Sequence, residues 1–172
     1  LIHSHLRLLV DRRDNEALAT LLTAPRWGLT TKELELLHKH AKAIALHREQ
    51  PSDDIDPNAH PDVFLVDAVD DPGFIADEPH LARTIAGVKR EMALIESRAA
   101  DSPDDLVLRI AAGPGLAAAF AGAAPERRDA RRRHVDALWR EVRQACLDDS
   151  TMGLTGVVEW MRIEDDEGKG LD

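Results

Sequence analysis

The stretch DNEALATLLTAPRWGLTTKELELLHKHAKAIA, Asp14–Ala45, holds two helical periods on either side of a proline and glycine turn. In the first half Ala17, Leu18, Leu21 and Leu22 fall on one helix face behind Asp14, a residue suited to capping a helix start. That helix has to stop before Pro25, because proline disfavours helical geometry in the residue preceding it. In the second half Thr30 followed by Glu33 fits a capping box, and Leu34, Leu37, Ala41, Ile44 and Ala45 form a single apolar stripe. The link Ala24-Pro25-Arg26-Trp27-Gly28-Leu29 is short, so two helices joined by a tight hairpin are expected.

Working outward, the period stays helical, with Gly, Pro and Asp as punctuation and no sustained alternation of the kind a strand needs. Upstream, Leu6, Leu9 and Val10 define a first helix reaching Asp11. Downstream, Phe64, Leu65 and Val69 mark a short helix, and Leu81, Ile85, Val88, Met92 and Ile95, spaced 4, 3, 4 and 3, mark a central core helix started near Pro79. Ser102-Pro103-Asp104-Asp105 sets a cap, a first-turn proline and an acid before Leu106, Val107 and Ile110. Gly113-Pro114-Gly115 ends that piece and an Ala-rich turn follows. Pro125 then opens a long helix with Val135, Leu138, Val142 and Cys146 inward and its arginines largely outward, and Leu154, Val157, Val158 and Met161 form the last helix. The expected fold is all-α: an irregular multi-helix domain over residues 1–172 with an N-terminal helix-hairpin-helix element. Residues 50–61 are expected as a mobile acidic loop and residues 164–172 as an acidic tail.

With 172 residues, 44% apolar and 31% charged, the chain has the composition of one globular domain and is long enough to bury roughly 70% of its unfolded surface. No run approaches the roughly 18 apolar residues of a membrane helix, and Leu1-Ile2-His3-Ser4-His5 lacks the basic and apolar regions of a signal peptide. No membrane partner is expected. Cys146, the only cysteine, can form neither an internal disulfide nor a cysteine-built zinc site, which points to the reducing cytoplasm. The net charge of −10 argues against nucleic acid at first sight. Its distribution weakens that objection: Pro51 to Glu78 holds nine acids with no Lys or Arg, residues 164–172 add a net −4, and everything else sums to +3.

Catalytic constellations are hard to find, and no catalytic, cofactor-binding or metal-ligating residue is assigned. No Gly-x-x-x-x-Gly-Lys-Ser/Thr loop is present, and Gly168-Lys169-Gly170 sits in a polar tail without a strand before it or a helix after it. The pairs His3/His5 and His38/His40 are two apart, so on a helix their side chains diverge; they are expected on solvated faces. Cys146 lies on an apolar stripe and fits a small core residue. Neither tight ATP binding nor ATP hydrolysis is expected of this chain.

The best local candidate for function is the hairpin. Backbone amides opening into a helix N-terminus offer N–H donors and partial positive charge to a phosphate. From Arg26 to Arg48 five bases (Arg26, Lys32, Lys39, Lys42, Arg48) face two acids, Glu33 and Glu35. Such a device holds duplex backbone without reading bases. The same residues also fit an ordinary helical hairpin with a packed Trp27.

The run Leu6-Arg7-Leu8-Leu9-Val10-Asp11-Arg12-Arg13-Asp14-Asn15-Glu16-Ala17-Leu18, continued by Leu21 to Leu34, resembles the start of the 2B subdomain of UvrD/PcrA/Rep-type superfamily 1 DNA helicases, most closely the actinobacterial branch. That pattern is a leucine-rich helix, an Asp-Pro-x-x-Asp-like link, a second helix, then Pro-Arg and a Gly-Ile-Gly hairpin. At the far end Leu154-Thr155-Gly156-Val157-Val158-Glu159-Trp160-Met161, an acidic stretch and Gly170-Leu171 are similar to the last helix of that subdomain. The middle matches only in its order of helices. The resemblance implies an accessory, non-catalytic piece of an ATP-dependent 3'-to-5' DNA helicase whose ATP and Mg sites lie in other subdomains of the same chain. It also implies weak contact with duplex DNA backbone through Arg26, Gly28, Leu29, Thr30, Thr31 and Lys32, and steric control of unwinding. The pattern departs at Thr30, which replaces the second hairpin glycine; its Cβ restricts close backbone approach, while its hydroxyl can cap the next helix. A second function class stays open: a protein-interaction or autoregulatory helical module with little DNA affinity, which the net negative charge favours.

Overall fold

Local capping explains where the helices begin. Ala17 N–H donates to Asp14 Oδ1 at 2.9 Å, and Arg7 Nε donates to Asp14 Oδ2 at 2.7 Å, so one carboxylate both caps the second helix and ties it to the first. Burial alone would push Asp14 upward, but the Ala17 amide and the Arg7 guanidinium outweigh it and hold the carboxyl below its usual range. The computed structural model describes residues 1–49, 61–73, 78–121 and 124–166, and among the described residues every regular element is a helix. In chain order these are α1 (Ile2–Val10), α2 (Asn15–Thr23), α3 (Thr31–Glu49), α4 (Leu65–Asp70), α5 (Pro79–Glu96), α6 (Pro103–Ala112), α7 (Pro114–Ala121), α8 (Pro125–Asp148) and α9 (Leu154–Asp166). The all-α expectation holds.

Two apolar clusters organise the packing. In the first, Leu18, Leu21 and Leu22 of α2 meet Leu37 and Ala41 of α3, Val66 and Val69 of α4, and Leu81, Ile85, Val88 and Met92 of α5. In the second, Leu106, Val107 and Ile110 of α6 meet Leu116 of α7, Val142 of α8 and Val157 of α9. Helix α1 belongs to both, because residues two apart on a helix point to nearly opposite sides: Leu6 enters the second cluster and Leu8 the first. Each fully buried aliphatic side chain contributes about 1.5–3 kcal/mol. Asn15 adds a polar clamp: its Nδ2 donates to Val63 O and its Oδ1 accepts from Leu65 N–H, both at 2.7 Å, which docks the entry to α4 onto α2.

The structure departs from the sequence reading in three places. Gly113 does end α6, its N–H donating to Ile110 O at 3.0 Å, but Pro114 is the first residue of α7, so the Ala-rich segment is a helix and not a turn. Proline fits there because a first-turn residue needs no amide donor. Helix α9 extends through Asp166 and takes in the first three residues of the expected acidic tail. His5 is buried and not solvated, since α1 is packed between both clusters; its Nδ1 lies 2.9 Å from Leu1 O. Residues 50–60 of the expected loop and 167–172 of the tail, including Gly168-Lys169-Gly170, lie outside the described residues.

Candidate nucleic-acid interface

The turn between α2 and α3 is built from its own backbone. Ala24 is extended after α2, and its carbonyl accepts from both Trp27 N–H at 2.9 Å and Gly28 N–H at 2.7 Å. Gly28 then takes φ +60°, a left-handed geometry that costs residues with a Cβ about 1–2 kcal/mol. Leu29 N–H donates back to Leu22 O at 3.0 Å, which closes the turn and drops the Leu29 side chain into the first cluster.

Trp27 is partly buried, as its bulk suggests, and its ring lies against Gly87 of α5: a Cβ at position 87 would stand 2.5 Å from Trp27 Cζ3. The Arg26 guanidinium lies 4.6 Å from the centre of the Trp27 ring, and Arg26 Nε donates to Glu91 Oε2 at 2.8 Å. Glu91 is nearly buried, so this pair works as a strut between the hairpin and α5. Of the six residues expected at the interface, Gly28, Thr30, Thr31 and Lys32 are exposed together, Arg26 is exposed but engaged with Glu91, and Leu29 is in the core.

At the opening of α3 the capping box is closed in both directions. Thr30 N–H and Thr30 Oγ1 each donate to Glu33 Oε2 at 2.8 Å, and Glu33 N–H donates to Thr30 Oγ1 at 3.3 Å. These bonds, the Thr30 amide first, hold the Glu33 carboxyl below its usual range. The helix end thus carries its own anion, which competes with an incoming phosphate for the same positive end. Lys32 is exposed and makes no ion pair among the described residues. Arg48, at the other end of α3, is tied to Asp67 of α4 at 3.0 Å. Since Arg48 is sixteen residues beyond Lys32, this part of the acid-rich segment sits about 24 Å along the helix from the hairpin. Glu78 is nearer, because the first turn of α5 places His80 Nδ1 3.4 Å from Glu33 Oε1.

Gly87 and Glu91 carry no local signal of their roles, for their partners lie 60 and 65 positions away. No group of three or more His, Cys, Asp or Glu side chains is placed to hold a metal among the described residues. No helix in the described residues is long and apolar enough to cross a membrane. No protein-family model matches the chain, and neither the curated proteins nor the solved structures compared with it show a similar one.

Proposed function

We propose that the chain is an accessory, non-catalytic domain of an ATP-dependent DNA helicase of the UvrD/PcrA/Rep type, touching duplex DNA along its backbone without sequence preference and restraining the motor sterically. The observation that supports this reading is the turn between α2 and α3: a left-handed Gly28, with Trp27 against Gly87 and Arg26 paired with Glu91, leads into a helix opening at which Thr31 and Lys32 are exposed. Backbone recognition needs this kind of fixed amide and cation set and no base-reading side chains. ATP and Mg belong, in this proposal, to the other helicase subdomains of the parent chain.

A second reading is favoured by Glu33 and Glu91, which already answer the helix end and Arg26. In it the same surface binds protein, with little affinity for DNA. Fluorescence anisotropy with a labelled duplex, from 20 to 200 mM salt, separates the two. The first reading expects weak binding with equal affinity for unrelated sequences, and Lys32→Ala should make the slope of log affinity against log salt shallower by about 0.9. Absence of duplex binding at 20 mM salt would leave only the protein-binding reading.

A further inference from the structure

Helix α8 changes character along a single face. Val135, Leu138 and Val142 pack into the second cluster, and Val142 is fully buried. One and two turns upstream the same side of the helix presents Arg131, Arg128 and Arg127, at 100° per residue, yet all three are exposed. Arg132 is exposed on an adjoining side and Arg133 on the opposite one, and Ala130 alone between Pro125 and His134 is half-buried. The packing face of α8 therefore runs past the body of the domain and turns basic where it does so. Five arginines in this stretch face two acids, Glu126 and Asp129. Among the described residues no ion pair engages Arg127, Arg128, Arg132 or Arg133; Arg90, Arg98 and Arg140 are likewise outside any ion pair, but only in α8's first turns do four such arginines stand within seven residues.

We infer that the first turns of α8, residues 125–134, form a second nucleic-acid contact that lies in a groove of duplex DNA with arginines on the phosphates of both walls. The inference rests on the duplex-contact reading and adds a site to it. The arginines are spread over about 240° of the helix circumference, too wide for a flat acidic protein surface but suited to a cleft with phosphates on two sides. A helix is about 10–12 Å across with its side chains, and the major groove, about 12 Å wide, admits one. The ten residues span about 15 Å, roughly the width to be crossed. Arginine's planar fork pairs with phosphate oxygens at two points, and none of these contacts requires a particular base.

The test compares wild type with R127Q/R128Q/R132Q/R133Q and with Lys32→Ala in the same duplex titration between 50 and 200 mM salt. Gln keeps most of arginine's helix propensity, and circular dichroism checks that α8 persists. The fourfold variant should bind at least about tenfold more weakly at 50 mM, with the salt slope shallower by about 0.9 for each phosphate lost. If that variant does not fold, R127Q/R128Q and R132Q/R133Q made separately should each show part of the loss. Should the fourfold variant bind like wild type while Lys32→Ala weakens, the α8 site is overturned and the hairpin contact stands. Loss in the fourfold variant with Lys32→Ala unchanged supports α8 and overturns the hairpin. A wild-type chain that binds no duplex overturns both, and displacement of the duplex by polyglutamate as readily as by unlabelled duplex overturns α8 as a groove contact.

Discussion

Gly87 in the middle of α5 is a poor choice by helix propensity, about 1 kcal/mol worse than alanine. It persists because the Trp27 ring occupies the space where a Cβ would be. A flat indole cannot yield as a flexible chain end does. Gly87→Ala should therefore destabilise the protein by about 1–3 kcal/mol despite the better helix former, and the penalty should shrink in a Trp27→Ala background, as urea unfolding of both singles and the double would measure. His5 makes a second prediction. Burial lowers its pKa below the ordinary value, although the Leu1 carbonyl and the Glu91 carboxylate, 4.0 Å away, oppose this. The unfolded chain takes up the proton more readily, so stability is full above the ordinary histidine pKa and falls as pH drops below it. Thermal midpoints from pH 7.5 to 5.5 should decline in wild type and decline less steeply in His5→Gln; equal slopes would contradict this.

At the scale of elements, starts were legible wherever the signal is local. The caps at Asp14, Thr30 and Ser102 lie within three residues of the amides they serve, and each closes as its sequence suggests, Ser102 Oγ accepting from Asp105 N–H at 3.4 Å. Thr30→Val should cost about 0.5–2 kcal/mol at neutral pH. Because Glu33 is held below its usual range, the part of the cap carried by its carboxylate is present above the ordinary carboxyl pKa and is lost as pH falls through the lowered one, so the difference between wild type and variant should narrow in acid without vanishing, since the Glu33 N–H to Thr30 Oγ1 bond does not titrate. Paired denaturant curves at pH 7 and in acid check both parts. The α7 helix was missed because Gly113-Pro114-Gly115 carries a stop and a start on adjacent residues, and only packing of Leu116 against the second cluster decides for the start. The position of the turn between α2 and α3 was legible, but its electrostatics were not. Arg26 reads as a free cation until Glu91 is brought beside it from 65 residues away, and Leu29 reads as exposed until the bond to Leu22 turns it inward.

Over the described residues, α1 joins the two apolar clusters together with α5, whose Met92 belongs to the first and whose Ile95 packs against the second. Of the acids of α4, Asp67 is tied to Arg48 at the far end of α3, while Asp70 is paired with Arg12 and with Lys89 of α5, whose Nζ also donates to Asp70 O at 2.9 Å. Among the described residues, exposed cations outside any ion pair include Lys32, Lys39 and Lys42 on α3 and Arg127, Arg128, Arg132 and Arg133 on the first turns of α8. A chain of net charge −10 can meet a polyanion only through such local surfaces, since repulsion between exposed charges fades beyond about 10 Å at 0.1 M salt. Duplex contact through the hairpin is tested most directly by recording the backbone amide resonances of the 19.0 kDa chain as an unlabelled duplex is added at 50 mM salt. The amides of Gly28 to Lys32 should shift with a common saturation curve, while those of Leu65 to Asp70 in α4 stay in place. Hairpin amides that do not move at saturating duplex, or shifts confined to α4, would contradict a DNA-contacting role for this surface.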